Sequence, residues 1–309
     1  MNSALTVFMP VLALVAGTWL IAGLDSAARP PPRGALAAGR LARSLTHPLY
    51  RSLALIRQQA ITTERPDRLT WRLAPMLYFS LALIALGLVP FVENRALIQT
   101  EAGIVVWGTL EAFTVVAIFL HGWSSNSLLP LIGGYRFVAI GLTIMLVSMF
   151  VLIAVALPAQ SLSIQAVVES QRGLWNVVRQ PLGLPLFLLL GLALGLRGPF
   201  DYADSADLAG GTSVEDSGTL RAAWQLARAA MLVAFAAMAS AVFLGGPLGP
   251  WLPGPVWMGL KMAVLLVVLV AAGRVFARFD PARMLTLVWV LLLPLAFLDL
   301  AISGLASLP

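Results

Sequence analysis

Five carboxylates fall within one short polar segment, residues 197–218, which lies between two long apolar stretches. They are Asp201, Asp204, Asp207, Glu215 and Asp216. Clustered carboxylates repel one another, so a change of charge nearby can make one of them bind or release a proton. A polar segment between membrane helices must also lie outside the hydrocarbon, where a soluble partner can meet it. The segment is therefore either a contact for such a partner or a solvated acidic loop.

Four more ionisable residues fall inside apolar stretches, where a charge at the bilayer centre costs on the order of 2.5–3.5 kcal/mol. They are Glu111, Lys261, Asp299 and Arg228. Arg228 and Asp299 lie near enough to the ends of their stretches to reach water. Glu111 and Lys261 lie deeper, so we predict either a proton path or a structural ion pair at these two positions.

The composition requires membrane helices to position these residues. The chain is 60% hydrophobic and 11% charged, with a mean hydropathy of +0.90, whereas a soluble domain carries about 25% charged residues. Eight stretches approach the length of about 20 residues that crosses a bilayer. They are residues 4–24, 74–92, 104–121, 135–157, 182–196, 224–246, 256–273 and 285–305. We therefore predict an all-α, polytopic membrane helix bundle of about eight transmembrane helices, with residues 1–309 forming a single membrane domain.

Two of these stretches have special features. The fifth is short and carries Pro181 and Pro185 at its start, so it is expected to be tilted or to begin outside the hydrocarbon. The first has no cationic residue before its apolar run, which a secretory signal normally has, so we predict a retained helix.

The arginines predict the orientation, because cationic residues near span ends accumulate on the cytoplasmic side. With eight spans, sixteen arginines fall on the side of the acidic segment, and only Arg95, Arg172 and Arg179 fall on the other. Both termini should then be extracytoplasmic, and residues 197–223 should form an acidic cytoplasmic loop. The positive charge is spread over several loops, which argues against nucleic-acid binding.

The longest polar connection, residues 25–73, is predicted to contain an amphipathic helix on the cytoplasmic side. Residues 46–48, Thr-His-Pro, are typical of a helix start, and Leu49 and Leu53 then share a face from which Arg51 and Arg57 are absent. The helix either simply lies in the membrane interface or forms part of the surface on which a soluble partner docks.

The chain has no cysteine, so it can hold no thiolate-ligated iron–sulfur cluster, disulfide or cysteine zinc site. His47 and His121 lack the short spacing of a metal motif. Residues 121–126, His-Gly-Trp-Ser-Ser-Asn, indicate a turn at the membrane interface. We predict no cofactor and no metal in this chain.

Several short motifs occur in the order typical of one family. They are His47-Pro48-Leu49-Tyr50, Leu73-Ala74-Pro75, Val89-Pro90-Phe91, Gly122-Trp123-Ser124-Ser125-Asn126 with Arg136, Trp175-Asn176-Val177, Pro199-Phe200-Asp201 through Glu215-Asp216-Ser217-Gly218, Leu260-Lys261, Arg278-Phe279-Asp280 and Leu293-Pro294-Leu295. The chain resembles, over residues 44–303, the membrane subunit of respiratory complex I known as subunit 1 or the H subunit. The same family includes formate hydrogenlyase subunit 4 of energy-converting hydrogenases.

The resemblance implies a membrane-anchoring and energy-coupling subunit of a proton- or ion-translocating oxidoreductase in the bacterial inner membrane, without a redox centre of its own. Its partners would be hydrogenase-like large and small soluble subunits that carry the iron–sulfur clusters and, in hydrogenases, a NiFe centre, together with antiporter-like membrane subunits. The acidic segment would face this redox arm. Arg51, Arg57, Trp123, Asn126 and Arg136 would belong to the docking surface.

The chain departs from the family pattern at positions that matter for coupling. Complex I members carry a Glu where this chain has Met145, and a second Glu falls on Arg228. Asp216 stands in place of a Tyr, and the Gly-Pro-Asn-Arg signature before the amphipathic helix is missing. These departures favour the hydrogenase-type branch and leave an anchor without proton coupling as one alternative. A free-standing secondary transporter, with Glu111 and Lys261 in its path, is the other.

Overall fold

The computed structural model describes residues 2–28, 37–92, 95–205 and 210–307, and within these ranges it is helical without a β-strand. The helices are α1 (Asn2–Ala27), α2 (Ala37–Arg57), α3 (Arg68–Leu88), α4 (Gly103–Ser124), α5 (Leu128–Ala156), α6 (Ile164–Glu169), α7 (Asn176–Arg179), α8 (Gly183–Leu194), α9 (Gly218–Leu244), α10 (Gly254–Val275), α11 (Pro281–Leu287) and α12 (Leu293–Ala306). Within the described residues, seven helices are long and apolar enough to cross a membrane, α11 and α12 counting as one. The predicted all-α polytopic bundle is confirmed.

The fifth predicted stretch differs from the other seven. Its helix, α8, has 12 residues, which at 1.5 Å per residue is about 18 Å, less than the hydrocarbon core of about 30 Å. It starts at Gly183, after Pro181, and is packed between α5 and α9 with most of its side chains buried. Because protein rather than lipid surrounds it, α8 does not need the length of a free-standing span.

The amphipathic helix begins earlier than predicted. α2 runs from Ala37 to Arg57, with Pro48 in its interior, so a start at residues 46–48 is wrong. Leu49, Leu53 and Ile56 are exposed in the isolated chain. They form an apolar face free to contact lipid or another subunit.

α9 forms the centre of the bundle. Its buried face is rich in alanine, including Ala230, Ala234, Ala237 and Ala241, and it packs against α1, α3, α8 and α10. Small side chains let membrane helices approach closely. α9 begins at Gly218, so the last six residues of the predicted loop at 197–223 are helical.

Two helix ends bear on sequence features. Asp67 caps α3, and its hydrogen bonds from the Thr70 hydroxyl and from the Thr70 and Leu69 backbone N–H groups hold the pKa of its carboxyl below the ordinary value. Residues 288–292, just before Pro294, form a π-helical turn between α11 and α12. Pro294 cannot donate a backbone hydrogen bond, and such turns accommodate an interrupted helical ladder.

The helix ends define two faces of the bundle. Asp25 at the end of α1 bonds Arg274 at the end of α10, and Asp67 before α3 bonds the Ser124 carbonyl at the end of α4. We call this side, which also carries residues 197–217, the acidic face. Ser303 near the end of α12 bonds the Ala154 carbonyl near the end of α5 on the opposite face. α1 starts and α12 ends on that opposite face.

Candidate functional site beneath the acidic connection

Residues 197–217, the acidic connection, are fastened to the bundle at several points. Asp201–Asp204 form a short 3-10 turn, and the Thr212 N–H bonds the Ala203 carbonyl at 3.0 Å. Arg136 from α5 donates to the Gly210 carbonyl at 3.2 Å and lies over the Tyr202 ring. Asp207 lies outside the described residues. The described parts of the connection are therefore packed structure at the membrane surface.

A glycine in α5 permits this close packing. A Cβ atom at Gly133 would lie 2.5 Å from the Thr212 nitrogen and 2.6 Å from the Ala203 oxygen. Because these atoms belong to the backbone, they cannot move aside as a flexible side chain would. Gly133 is thus required for the connection to rest directly on α5.

Asp204 is buried and forms an ion pair with Arg228 of α9, with Oδ2 2.7 Å from the Arg228 Nη1. The Thr212 hydroxyl donates to Asp204 at 2.7 Å, and the Trp224 indole donates at 3.2 Å. A buried carboxylate needs such partners. Arg228 also donates to the Leu196 carbonyl. Arg228, one of the departures from the family pattern, therefore holds the connection onto α9 rather than simply reaching water.

Asp216 is the second buried carboxylate of the connection. Its Oδ2 lies 2.9 Å from the His121 Nε2 of α4, and its Oδ1 accepts from the Trp71 indole of α3 at 3.3 Å. The His121 ring stacks on Trp224 with centroids 3.7 Å apart. The sequence interpretation treated residues 121–126 only as a turn and missed this contact. α4 continues to Ser124, which places the imidazole inside the bundle.

The other two described carboxylates have separate partners. Asp201 forms an ion pair with Arg278 at 2.9 Å, and Glu215 accepts from the Ser127 hydroxyl at 3.0 Å. No hydrogen bond joins two carboxylates among the described residues of the connection. The picture of mutually repelling, solvated carboxylates is thus wrong for Asp204 and Asp216, because each is buried against its own donors.

Glu111 and Lys261 do not form the ion pair considered above. Glu111 is buried in mid-bundle, where it accepts from the Trp107 indole at 2.7 Å and from the Ser148 hydroxyl of α5 at 2.5 Å. Lys261 donates to the carbonyls of Leu244, Gly246 and Leu248 at 2.6, 2.9 and 2.7 Å. Lys261 therefore ties α10 to the carboxyl end of α9, on the face opposite the acidic connection.

Asp299 does not reach water as the simplest interpretation expected, since its residue exposure is 0%. It faces the first turn of α8, where a side chain at Gly183 would come within 3.0 Å of its Oδ2. Among the described residues, neither carboxylate oxygen has a hydrogen bond of good geometry, although the N–H groups of Leu182 and Gly183 lie close by. The positive end of the α8 dipole compensates its charge in part.

The five residues assigned to docking all lie at the acidic face but differ in role. Arg51, Arg57 and Trp123 are exposed. Asn126 is exposed too, yet its amide donates to the Arg65 carbonyl, and Arg136 holds the acidic connection as described above. Exposure thus leaves Arg51, Arg57 and Trp123 as the three best placed to meet a partner.

A cluster that the sequence did not suggest joins three helices at the same face. Asp25 at the end of α1 pairs with Arg197 and with Arg274. Burial lowers the pKa of Arg197 from its ordinary value, and the Asp25 carboxylate opposes that shift. Asp25, Arg51, Arg197 and Arg228 line a cleft of about 400 Å³ between α1, α2 and α9. Among the described residues, no group of three or more His, Cys, Asp or Glu side chains could hold a metal.

Comparison with known proteins identifies the family. The family model described as NADH dehydrogenase matches residues 3–304. The chain is 36% identical to the first NADH-quinone oxidoreductase H subunit of Rhodopseudomonas palustris (strain HaA2), over 77% of this chain and 75% of the relative. The chain belongs to the family of complex I H subunits. It is also 34% identical to the second such H subunit of Cereibacter sphaeroides (strain ATCC 17029 / ATH 2.4.9), over 82% of this chain and 80% of the relative.

Membership of the H-subunit family confirms the resemblance at the level of complex I. Proteins of this family are membrane subunits of a multisubunit, proton-translocating oxidoreductase. With seven long apolar helices in its described part, the chain is a multi-pass inner-membrane protein.

Proposed function

We propose that this member of the H-subunit family anchors a soluble redox arm at its acidic face and couples the arm's reaction to proton movement in the membrane. The observation that carries the proposal is the pair of buried contacts, Asp204 with Arg228 and Asp216 with His121, directly beneath a connection reachable from water. A charge change in a docked arm would act on groups that are already partly desolvated, where electrostatic effects are strong.

The buried carboxylate of α4 supports retained coupling in spite of Met145. Glu111 reaches Ser148, three residues along α5 from Met145. Residues three apart lie on neighbouring positions of one helix face. Glu111 thus supplies a protonatable group within about one turn of the position at which the family carries its Glu.

We further propose that the acidic face is cytoplasmic, in accord with the sixteen arginines on that side. The absence of cysteine allows a clean test by single-cysteine labelling. Gln58→Cys at the acidic face should react with a membrane-impermeant maleimide in inverted vesicles. Gln160→Cys at the opposite face should react only in right-side-out vesicles. The reverse pattern would refute this orientation.

We propose that the soluble arm consists of hydrogenase-like large and small subunits with iron–sulfur clusters, joined by antiporter-like membrane subunits. Purification of the tagged chain in mild detergent should recover these partners, and recovery of no iron–sulfur subunit would refute the proposal. Bound nickel with hydrogen evolution would indicate the hydrogenase-type branch, which the missing Gly-Pro-Asn-Arg signature favours.

A quinone-reducing arm is the second candidate, and the names of the relatives, NADH-quinone oxidoreductases, favour it. Quinone-dependent oxidation of NADH by the purified assembly, without bound nickel, would decide for it. Neither candidate requires the free-standing transporter, whose two path residues, Glu111 and Lys261, bind separate partners. Transport by the purified chain alone in liposomes would revive that alternative. An assembly that oxidises its donor without moving ions would support the uncoupled anchor.

A further inference from the structure

His121 and Asp216 form a buried contact in which the proton positions are constrained. The side-chain exposures of the two are 0% and 1%, and the Nε2–Oδ2 distance is 2.9 Å. An ionised carboxylate only accepts hydrogen bonds, so the Nε2 must carry hydrogen. The Nδ1 is buried and has no hydrogen-bond partner among the described residues. The Nδ1 is therefore the atom at which the pair gains or loses a proton.

Adding a proton changes the charge of the pair but breaks no other bond. With a neutral imidazole, the pair carries the single negative charge of Asp216, and with an imidazolium its net charge is zero. Histidine is the side chain whose charge changes most readily near neutral pH. The proton would come from water at the acidic face and return there.

The surroundings link this pair to the other buried carboxylate. Trp224 stacks on His121 and donates to Asp204, so one indole touches both contacts. Asp204 faces the permanent cation of Arg228, whereas Asp216 faces only the titratable ring. The remaining titratable or charged groups packed around the pair are Tyr78 of α3, Arg136 of α5 and Glu215 of the connection.

We propose that His121 and Asp216 form a proton-binding site at the base of the acidic connection, whose occupancy sets how firmly the connection is held on α4. The imidazolium form pairs two opposite charges across the contact, and the neutral form leaves a single hydrogen bond. Because the Nδ1 is sealed from water, proton exchange requires the segment around Asp216 to shift. The role of this site in coupling rests on the proposed function, but its protonation does not.

Protonation can be read directly, because the chain has only two histidines. We would label the full-length His47→Gln variant with ¹⁵N-histidine, reconstitute it in lipid nanodiscs and follow the His121 resonances from pH 5 to pH 9. The expected result is a titration at Nδ1 while Nε2 keeps its hydrogen, with a displaced midpoint in Asp216→Asn. A single protonation state over the whole range would overturn the proposal.

The position of the connection can be followed by cysteine labelling of the same chain. Ser213→Cys lies on the acidic connection, and Gln160→Cys on the opposite face serves as the reference that cancels the pH dependence of thiol chemistry. The ratio of their maleimide reaction rates should rise as the pH increases from 6 to 8. His121→Gln keeps a donor near the Nε2 position but cannot bind the proton, so the ratio should then be independent of pH.

A pH-dependent ratio that persists in His121→Gln would overturn the proposal, because a merely structural hydrogen bond would behave in that way. In the purified assembly, one limb of the pH profile of proton translocation should disappear in His121→Gln, a limb along which the wild-type rate changes by up to about tenfold per pH unit. An unchanged profile shape, lowered uniformly, would overturn the role in coupling. Failure to recover a redox arm would refute the proposed function instead, and the two measurements on the chain alone would still decide the inference.

Discussion

Replacing Asp204 by Asn removes one charge from beneath the acidic connection while nearly preserving the shape of the side chain. The amide oxygen can still accept from the Thr212 hydroxyl and the Trp224 indole. The ion pair with Arg228 is lost, and the guanidinium keeps its bond to the Leu196 carbonyl. The substitution thus isolates the ion pair from the rest of the site.

The burial of the pair sets the expected magnitude. Removing one partner of a fully buried pair costs about 3–5 kcal/mol, because the other charge is left uncompensated. The Asp204 side chain is 0% exposed, but that of Arg228 is 25% exposed and can be partly solvated. We therefore expect a loss of about 2–3 kcal/mol in the free energy of unfolding, or about 30- to 150-fold in the equilibrium constant.

Reversible unfolding in mixed micelles with increasing SDS, followed by tryptophan fluorescence, would measure this loss. The matched control is Glu169→Gln, which breaks the exposed Arg172–Glu169 pair and should cost at most about 1 kcal/mol. Asp204→Asn combined with Arg228→Met should recover about half of the loss or more, since no buried charge remains unpaired. A loss for Asp204→Asn equal to that of the control, or no recovery in the double variant, would show that the pair does not hold the connection.

Three further predictions concern other parts of the bundle. Gly133→Ala should cost about 1–3 kcal/mol in the same unfolding assay, because the added methyl meets backbone, whereas Gly108→Ala, with nothing within 4 Å, should be neutral or stabilising; equal effects would contradict this packing. Lys261→Met should cost about 2–4 kcal/mol by leaving three carbonyls without their donor, and an unaltered SDS midpoint would argue against that role. Glu111→Gln should keep stability within about 1 kcal/mol but lower proton translocation by the assembly about tenfold or more, and full translocation would exclude Glu111 from the path.

The gross architecture followed from the sequence, because a bilayer places strong demands on local composition. Each long apolar stretch must form a helix to satisfy its backbone hydrogen bonds, so the membrane class and the spans could be predicted without knowledge of packing. The ordered motifs likewise predicted the complex I family. The short α8 could not be predicted as such, because its length is permitted only by neighbours that bury it.

The candidate site depended on contacts between residues far apart in the sequence. That Asp204 and Asp216 are acidic was evident, but that one binds Arg228 and the other binds His121, 95 residues away, depends on how α4 and α9 pack beneath the connection. Glu111 and Lys261 looked equivalent as buried charges, yet one accepts from an indole and a hydroxyl and the other donates to carbonyls. The sequence alone thus determined which ionisable groups lie in or beside the membrane, since hydrophobicity is a local property. Only the tertiary structure decided their partners, because a side chain's partners are set by the helices that pack around it.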